Sequence, residues 1–325
     1  MHRHRRSERE REAPAHPEPP IDAIAYRYDR TALFYALATV IPWLFWFSAA
    51  YLSGLGEQPD TVQVLTAAFG VCGLIAPPLV VVLLVRTKPD LRADILQRLR
   101  PHRIGGFYLA VTLLLLVSSI LAAQAISLAF GYSIEQFQLR GGFTFTAGLL
   151  PVWFTLIGAA IFEELAWHSY GTDTLVRNMS VFAASMVFTV FWALWHLPLS
   201  FIQGYYHNEV VESGLIHTLN FPLSMVAFVI LMNWLYYATG RSILIPILFH
   251  ITANLANEVF MTHPDTKIIQ TLLLLVVAGI VVATNRPLFF GSNRRRRRLA
   301  AADDSAAPAA ATRGGKARPR DQHQP

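Results

Sequence analysis

Long apolar runs alternate with short polar breaks along this chain, at about 31–54, 62–85, 106–130, 146–170, 179–203, 221–239, 243–261 and 268–285. Each is close to the roughly 20 residues that a helix needs to cross the hydrocarbon of a bilayer. Lipid offers no partners to the backbone, so runs of this length without strand alternation predict helices. The expected fold is all-α, a polytopic membrane helix bundle of about eight transmembrane helices. Pro42 and the pair Pro77-Pro78 fall inside the first two runs, where kinks supported by neighbouring helices are expected.

Three regions follow from the pattern. Residues 1–30 form a polar, Arg-, Glu- and Pro-rich tail without the apolar core and cleavage site of a signal peptide, expected to be disordered and retained. Residues 31–287 form the membrane-embedded domain. Residues 288–325 open with the Arg294 to Arg298 run and continue as a second basic tail, again expected to be disordered. Between spans, Asp90 to Leu99 is expected to form a short interfacial helix with Leu91, Ile95 and Leu99 on one side. The segment from Tyr205 to Asn220 reads as a loop, and its His207 and His217, lacking metal-ligand spacing, as ordinary loop residues.

Composition agrees with a membrane protein: 54% of residues are hydrophobic, 15% are charged, and the mean hydropathy is +0.39. The net charge of +6 does not point to nucleic acid, because the basic residues sit in the tails and one loop. With eight spans, every Lys and Arg except Arg140 and Lys267 falls on one side, and the positive-inside rule makes that side, with both termini, cytoplasmic. Membrane lipids are the first expected partners. The preponderance of Arg over Lys and the short loops suit a bacterial inner membrane. Cys72 is the single cysteine, so neither a disulfide framework nor a cysteine metal site is available.

The chemistry concentrates in Phe162-Glu163-Glu164-Leu165-Ala166-Trp167-His168. A carboxylate at bilayer depth costs about 2.5–3.5 kcal/mol on insertion scales, so two in succession need compensation. Neighbouring helical residues point about 100° apart, whereas Glu164 and His168 share a face as an i,i+4 pair. Glu163 is left to look across the bundle, toward His196 in Trp192-Ala193-Leu194-Trp195-His196 and toward His250 and Asn254. Glu163 and His196 lie at matching depth on their helices, each roughly 24 Å from the turn near Met179 by helical rise. His250, Asn254 and Glu258 form a polar stripe on a seventh helix, and such stripes face a bundle interior or a wet cavity.

These three pieces, in this order, resemble the CPBP family of intramembrane proteases, which includes the type II CaaX prenyl endopeptidases and the Abi-type proteins. The family pattern is a Glu-Glu pair followed by Arg, then Phe-x-x-x-His, then His-x-x-x-Asn. Glu163, Glu164, His196, His250 and Asn254 match; His168 stands in the Arg position and Trp192 in the Phe position. The resemblance covers residues 144–261. It implies an intramembrane endopeptidase acting on a membrane-associated peptide or protein, prenylated or not, by Glu- and His-activated water. In that reading Glu163 is the base, His196 holds and polarises the water, and His250 and Asn254 stabilise the tetrahedral intermediate, with His168 and Trp192 in support.

The residues leave two alternatives open. Glu163, His196 and His250 are also one carboxylate and two imidazoles, a set that serves zinc or another divalent metal. A non-catalytic scaffold or self-immunity protein of the same fold, or an ion-coupled transporter, would use the buried carboxylates differently; no internal repeat supports the transporter.

Overall fold

The computed structural model describes residues 25, 27–56, 59–101, 104–142 and 151–291. Most of both basic tails and residues 143–150 of the matching core lie outside the described residues. The described chain is helical: α1 Thr31–Ser53, α2 Asp60–Val85, α3 Pro89–Arg98, α4 Gly106–Leu128, α5 Val152–Ala166, α6 Thr172–Val176, α7 Val181–Trp195, α8 Tyr206–Glu212, α9 Leu215–Ala238, α10 Leu244–Val259, α11 Pro264–Thr284 and α12 Arg286–Phe290. Among the described residues, six helices are long and apolar enough to cross a membrane, and the chain is an integral, multi-pass membrane protein.

Three of the eight expected runs do not form one long α-helix. The fourth begins at Val152, passes through a π-helical turn at Trp167–Gly171 and continues as α6 to Val176. The seventh is the 16-residue α10, whose polar stripe shortens its apolar length. Pro42, Pro77 and Pro78 lie within α1 and α2, as expected. In the fifth, α7 stops at Trp195, and Leu197–Phe201, which contains Pro198, winds as a 3-10 turn.

Close packing holds the long helices. Trp46 reaches from α1 onto α2 and donates from Nε1 to the Gly70 carbonyl at 3.0 Å. Gly73 permits this approach, since a Cβ there would lie 2.3 Å from Trp46 Nε1. Trp46 also packs edge-on against Trp195, with ring centroids 4.4 Å apart, joining α1 to α7.

The bundle has two chemically distinct ends. At one, Arg27 pairs with Asp90 at 3.1 Å, Lys88 with Asp29 at 2.6 Å, and Phe182 packs on Phe290. At the other, the Tyr132 hydroxyl donates to Asp265 at 2.6 Å, and His217 lies 3.4 Å from Asp265.

The expected interfacial helix forms as α3 but turns inward. Leu91 is buried, and so is Arg98, which enters a polar cluster beneath the site. Asp173 accepts from Arg98 at 3.2 Å, Arg241 at 2.6 Å, Tyr236 at 3.0 Å and Tyr237 at 3.1 Å. Asp94 pairs with Arg98 at 2.9 Å and Arg241 at 3.1 Å. Two guanidiniums thus meet two carboxylates, and buried charges persist only when balanced and bonded in this way. The same contacts hold Arg241 at a left-handed φ of 64° just after Gly240, a conformation unfavourable for a side chain with a Cβ.

Candidate active site

A carboxylate, two imidazoles and an amide from α5, α10 and the C-terminal end of α7 line one cavity of about 850 Å³. Trp46, Leu74, Phe162 and Phe228 are among its apolar walls. The π-helical turn directly follows the Glu163-Glu164 pair, and it leaves carbonyls that need donors. Arg98 donates to the His168 and Ser169 carbonyls, both at 2.9 Å, so the charged cluster also braces the backbone that carries the two glutamates.

The adjacent glutamates divide as helix geometry requires. Glu164 is fully buried and is bracketed by two imidazoles, His168 Nδ1 at Oε2 and His250 Nδ1 at Oε1, the latter at 2.8 Å. Behind His168 runs a directed chain. The Ser185 hydroxyl donates to the Val181 carbonyl, so its oxygen accepts from Asn233 Nδ2 at 2.8 Å. Asn233 Oδ1 therefore faces His168 Nε2, at 3.0 Å, and Nε2 must carry the hydrogen.

Glu163 faces the cavity. Its Oε2 accepts from Trp192 Nε1 at 2.8 Å, a bond that phenylalanine at this position would lack. His196 Nε2 lies 3.9 Å from the same oxygen. His196 Nδ1 is 2.7 Å from the Trp192 carbonyl; a carbonyl only accepts, so Nδ1 bears the hydrogen and a neutral ring presents the Nε2 lone pair toward Glu163. Trp192 thus orients both groups, and its ring also lies edge-on to His250, with centroids 5.5 Å apart.

Asn254 donates from Nδ2 to the Leu156 carbonyl at 2.8 Å and leaves its second N–H for the cavity, which it lines. The stripe expected on α10 is present: His250 and Glu258 are buried and, with Asn254, line the same space.

Two expectations change. His250 turns its Nδ1 to Glu164 and not to Glu163, because the rotation of α10 against α5 places the second glutamate opposite it. His207 is not an ordinary loop residue: α8 folds back over the site and stacks His207 on His196, with centroids 4.8 Å apart and planes 23° from parallel. Its Nδ1 is buried with no partner among the described residues. The only hint in the sequence is the aromatic neighbourhood Tyr205-Tyr206-His207. Arg98, Arg241 and Asn233 likewise form the site's foundation, with Asp173, and no sequence signal marks those three as such. No group of three His, Cys, Asp or Glu side chains stands ready to hold a metal among the described residues.

Comparison with known proteins agrees with this geometry. The family model for type II CAAX prenyl endopeptidases, Rce1-like, matches residues 144–256, a range that contains Glu163, Glu164, His196, His250 and Asn254. A CAAX prenyl protease 2 from Methanococcus maripaludis is 35% identical over 250 residues, which are 76% of this chain and 90% of that protein. Similarity of that extent, on top of the converging glutamate, histidine and asparagine helices, places the chain in the type II CAAX prenyl endopeptidase family, and it is an intramembrane peptidase.

Proposed function

We propose that this chain hydrolyses a peptide bond of a membrane-associated protein or peptide with a water held between Glu163 and His196. The supporting observation is their shared gap: at 3.9 Å, Glu163 Oε2 and His196 Nε2 are too far apart to bond each other and close enough for one water to reach both. Both groups accept. A water giving one hydrogen to each directs its lone pair outward, toward a substrate carbonyl.

In the attack, the water oxygen bonds to the carbonyl carbon while Glu163 takes the proton. The carbonyl oxygen becomes an oxyanion facing Asn254, whose free N–H donates to it, and His250, which donates from Nε2 when that nitrogen is protonated. Glu163 then returns the proton to the leaving amine as the C–N bond breaks. Glu164 acts through His250, fixing its ring; Trp192 acts through Glu163 and His196.

Zinc or another divalent metal at Glu163, His196 and His250 fits this arrangement less well than side-chain chemistry, since the three do not gather as a ligand set among the described residues, although the bond from His250 Nδ1 to Glu164 would leave its Nε2 to coordinate. Our reading assigns the reaction to side chains, and the chelator arm of the test below decides between the two. The largely apolar walls suit a substrate presented by the membrane, the preponderance of Arg over Lys supports a bacterial cell membrane, and the name of the Methanococcus relative makes a prenylated tail one candidate.

The test is cleavage profiling of the purified chain against membrane-anchored peptides, comparing wild type with Glu163→Gln, with and without a chelator. Products should form in the wild type in both conditions and disappear in Glu163→Gln. Full turnover by Glu163→Gln would overturn the assignment, and loss of wild-type turnover on chelation would move it to a metal.

A further inference from the structure

The polar group beside the water site that the mechanism above leaves unused is His207. It reaches the site on α8, which is set off from the neighbouring chain by Gly204 and Gly214 at φ 71° and 109°. Asn208 anchors this short helix by donating from Nδ2 to the Ser200 carbonyl at 3.1 Å. The His207 ring stacks on His196, lies nearly parallel to Tyr205 with centroids 5.7 Å apart, and meets Phe221 edge-on at 5.1 Å.

Stacking alone does not call for an imidazole. A phenyl ring would fill the same slot and would spare the chain Nδ1, which is buried without a partner among the described residues. Leaving such a group unpaired is costly. A buried N–H without an acceptor is the rarer orphan in proteins, so Nδ1 keeps its lone pair and the hydrogen sits on Nε2. Nε2, by contrast, is open to the cavity that His207 lines. The site therefore holds a hydrogen-bond donor with nothing yet to donate to.

A peptide entering this space gives up water from its backbone, and each carbonyl it brings needs a donor. Trp192 Nε1 is taken by Glu163, and one N–H of Asn254 by the Leu156 carbonyl. The second Asn254 N–H serves the oxyanion, which leaves the His207 Nε2–H for a neighbouring carbonyl. The His207 ring lies 4.8 Å from that of His196, a span between one and two residues of extended chain at about 3.3 Å each.

We infer that His207 is a substrate-binding residue, donating from Nε2 to a backbone carbonyl of the peptide next to the scissile bond and so fixing its register over the Glu163 to His196 gap. This rests on the peptidase reading and adds to it the group that aligns the chain. The contact is made in the bound substrate and in the transition state alike, so its loss weakens binding and spares the chemical step.

Two replacements separate the donor from the ring. His207→Phe keeps the stack and loses the donor, whereas His207→Gln loses the ring and places an amide N–H near the position of Nε2. Each is made in a Glu163→Gln background, and affinity for a fluorescein-labelled farnesylated peptide in detergent micelles is read by fluorescence anisotropy, so turnover does not intervene. His207→Phe should raise Kd about tenfold, and His207→Gln should restore most of the loss. In the protein with Glu163 intact, His207→Phe should raise KM with kcat near the wild-type value. A Kd unchanged by His207→Phe, or raised more by His207→Gln than by His207→Phe, marks a residue that only packs and overturns the inference, as does a Glu163→Gln parent that does not hold the peptide. Cleavage of the same peptide by the wild type, and its loss in Glu163→Gln, upholds the peptidase reading whatever His207 does, so the two failures are distinct.

Discussion

Replacing Glu164 by leucine tests the division of labour between the adjacent glutamates. Leucine has similar length but no acceptor, so His168 Nδ1 and His250 Nδ1 both lose the partner they have at a fully buried site. Each orphaned polar group costs about 1–3 kcal/mol, which sets the loss at about 2–6 kcal/mol. At roughly 2–4 °C per kcal/mol, the melting temperature should fall by about 4–24 °C. Glu164→Gln should recover most of that loss, because its carbonyl accepts from His250 and its amide donates to a neutral His168. Glu163→Gln, which keeps an acceptor for Trp192 Nε1, should melt near the wild type while losing turnover. The assay is thermal unfolding in detergent followed by tryptophan fluorescence, for which the chain carries seven reporters. A Glu164→Leu protein that melts with the wild type would refute the reasoning, as would a Glu163→Gln protein that melts as low as Glu164→Leu.

Other expectations follow from the same contacts. Asp173→Asn should cost about 3–5 kcal/mol, since it leaves Arg98 and Arg241 with Asp94 as their remaining carboxylate; an unchanged melting temperature would contradict the structural role of this charged cluster. Asp29→Asn is the surface counterpart: its hydrogen bond from Lys88 holds the Asp29 carboxyl below its usual value, so the pair's contribution is present at neutral pH and is lost as pH falls through that lowered value. At an exposed site that contribution is about 0–1 kcal/mol, and unfolding at neutral pH should barely register its removal. Trp192→Phe keeps the stack on Phe188 and Phe228 but removes the donor to Glu163; kcat/KM should fall about tenfold, equivalent to 1.4 kcal/mol, and an unchanged value would show that Trp192 does not orient the base.

Much of this arrangement is legible in the chain because membrane helices impose strong rules. Apolar length marks the spans, and the cost of burying Glu163 and Glu164 marks the site. The Glu164 to His168 pair is readable since both lie on one helix, four residues apart. The Glu164 to His250 pair is not, because it depends on how α10 is rotated against α5, which no single-helix pattern encodes. Arg98 and Arg241 read from the sequence only as topology-setting charges; their sign and side are sequence properties, but the inward fold of α3 that buries Arg98 is a tertiary one. His207 escapes for a similar reason, since α8 returns over His196 through a turn whose geometry lies in Gly204 and Gly214, at φ 71° and 109°. Within this cluster, the residue the sequence could have singled out is Asp173, an acid close after the run that carries Glu163 and Glu164, met by Tyr236 and Tyr237 from α9.

The mechanism proposed for this site has a water, not a protein carboxylate, attack the peptide carbonyl. A single-turnover cleavage in heavy-oxygen water, with enzyme in excess, separates the two. If Glu163 acts as a base, the new product carboxylate carries one solvent oxygen and Glu163 carries none. Heavy oxygen recovered in Glu163, with product bearing an oxygen from the protein, would mean a covalent acyl intermediate and would contradict the mechanism.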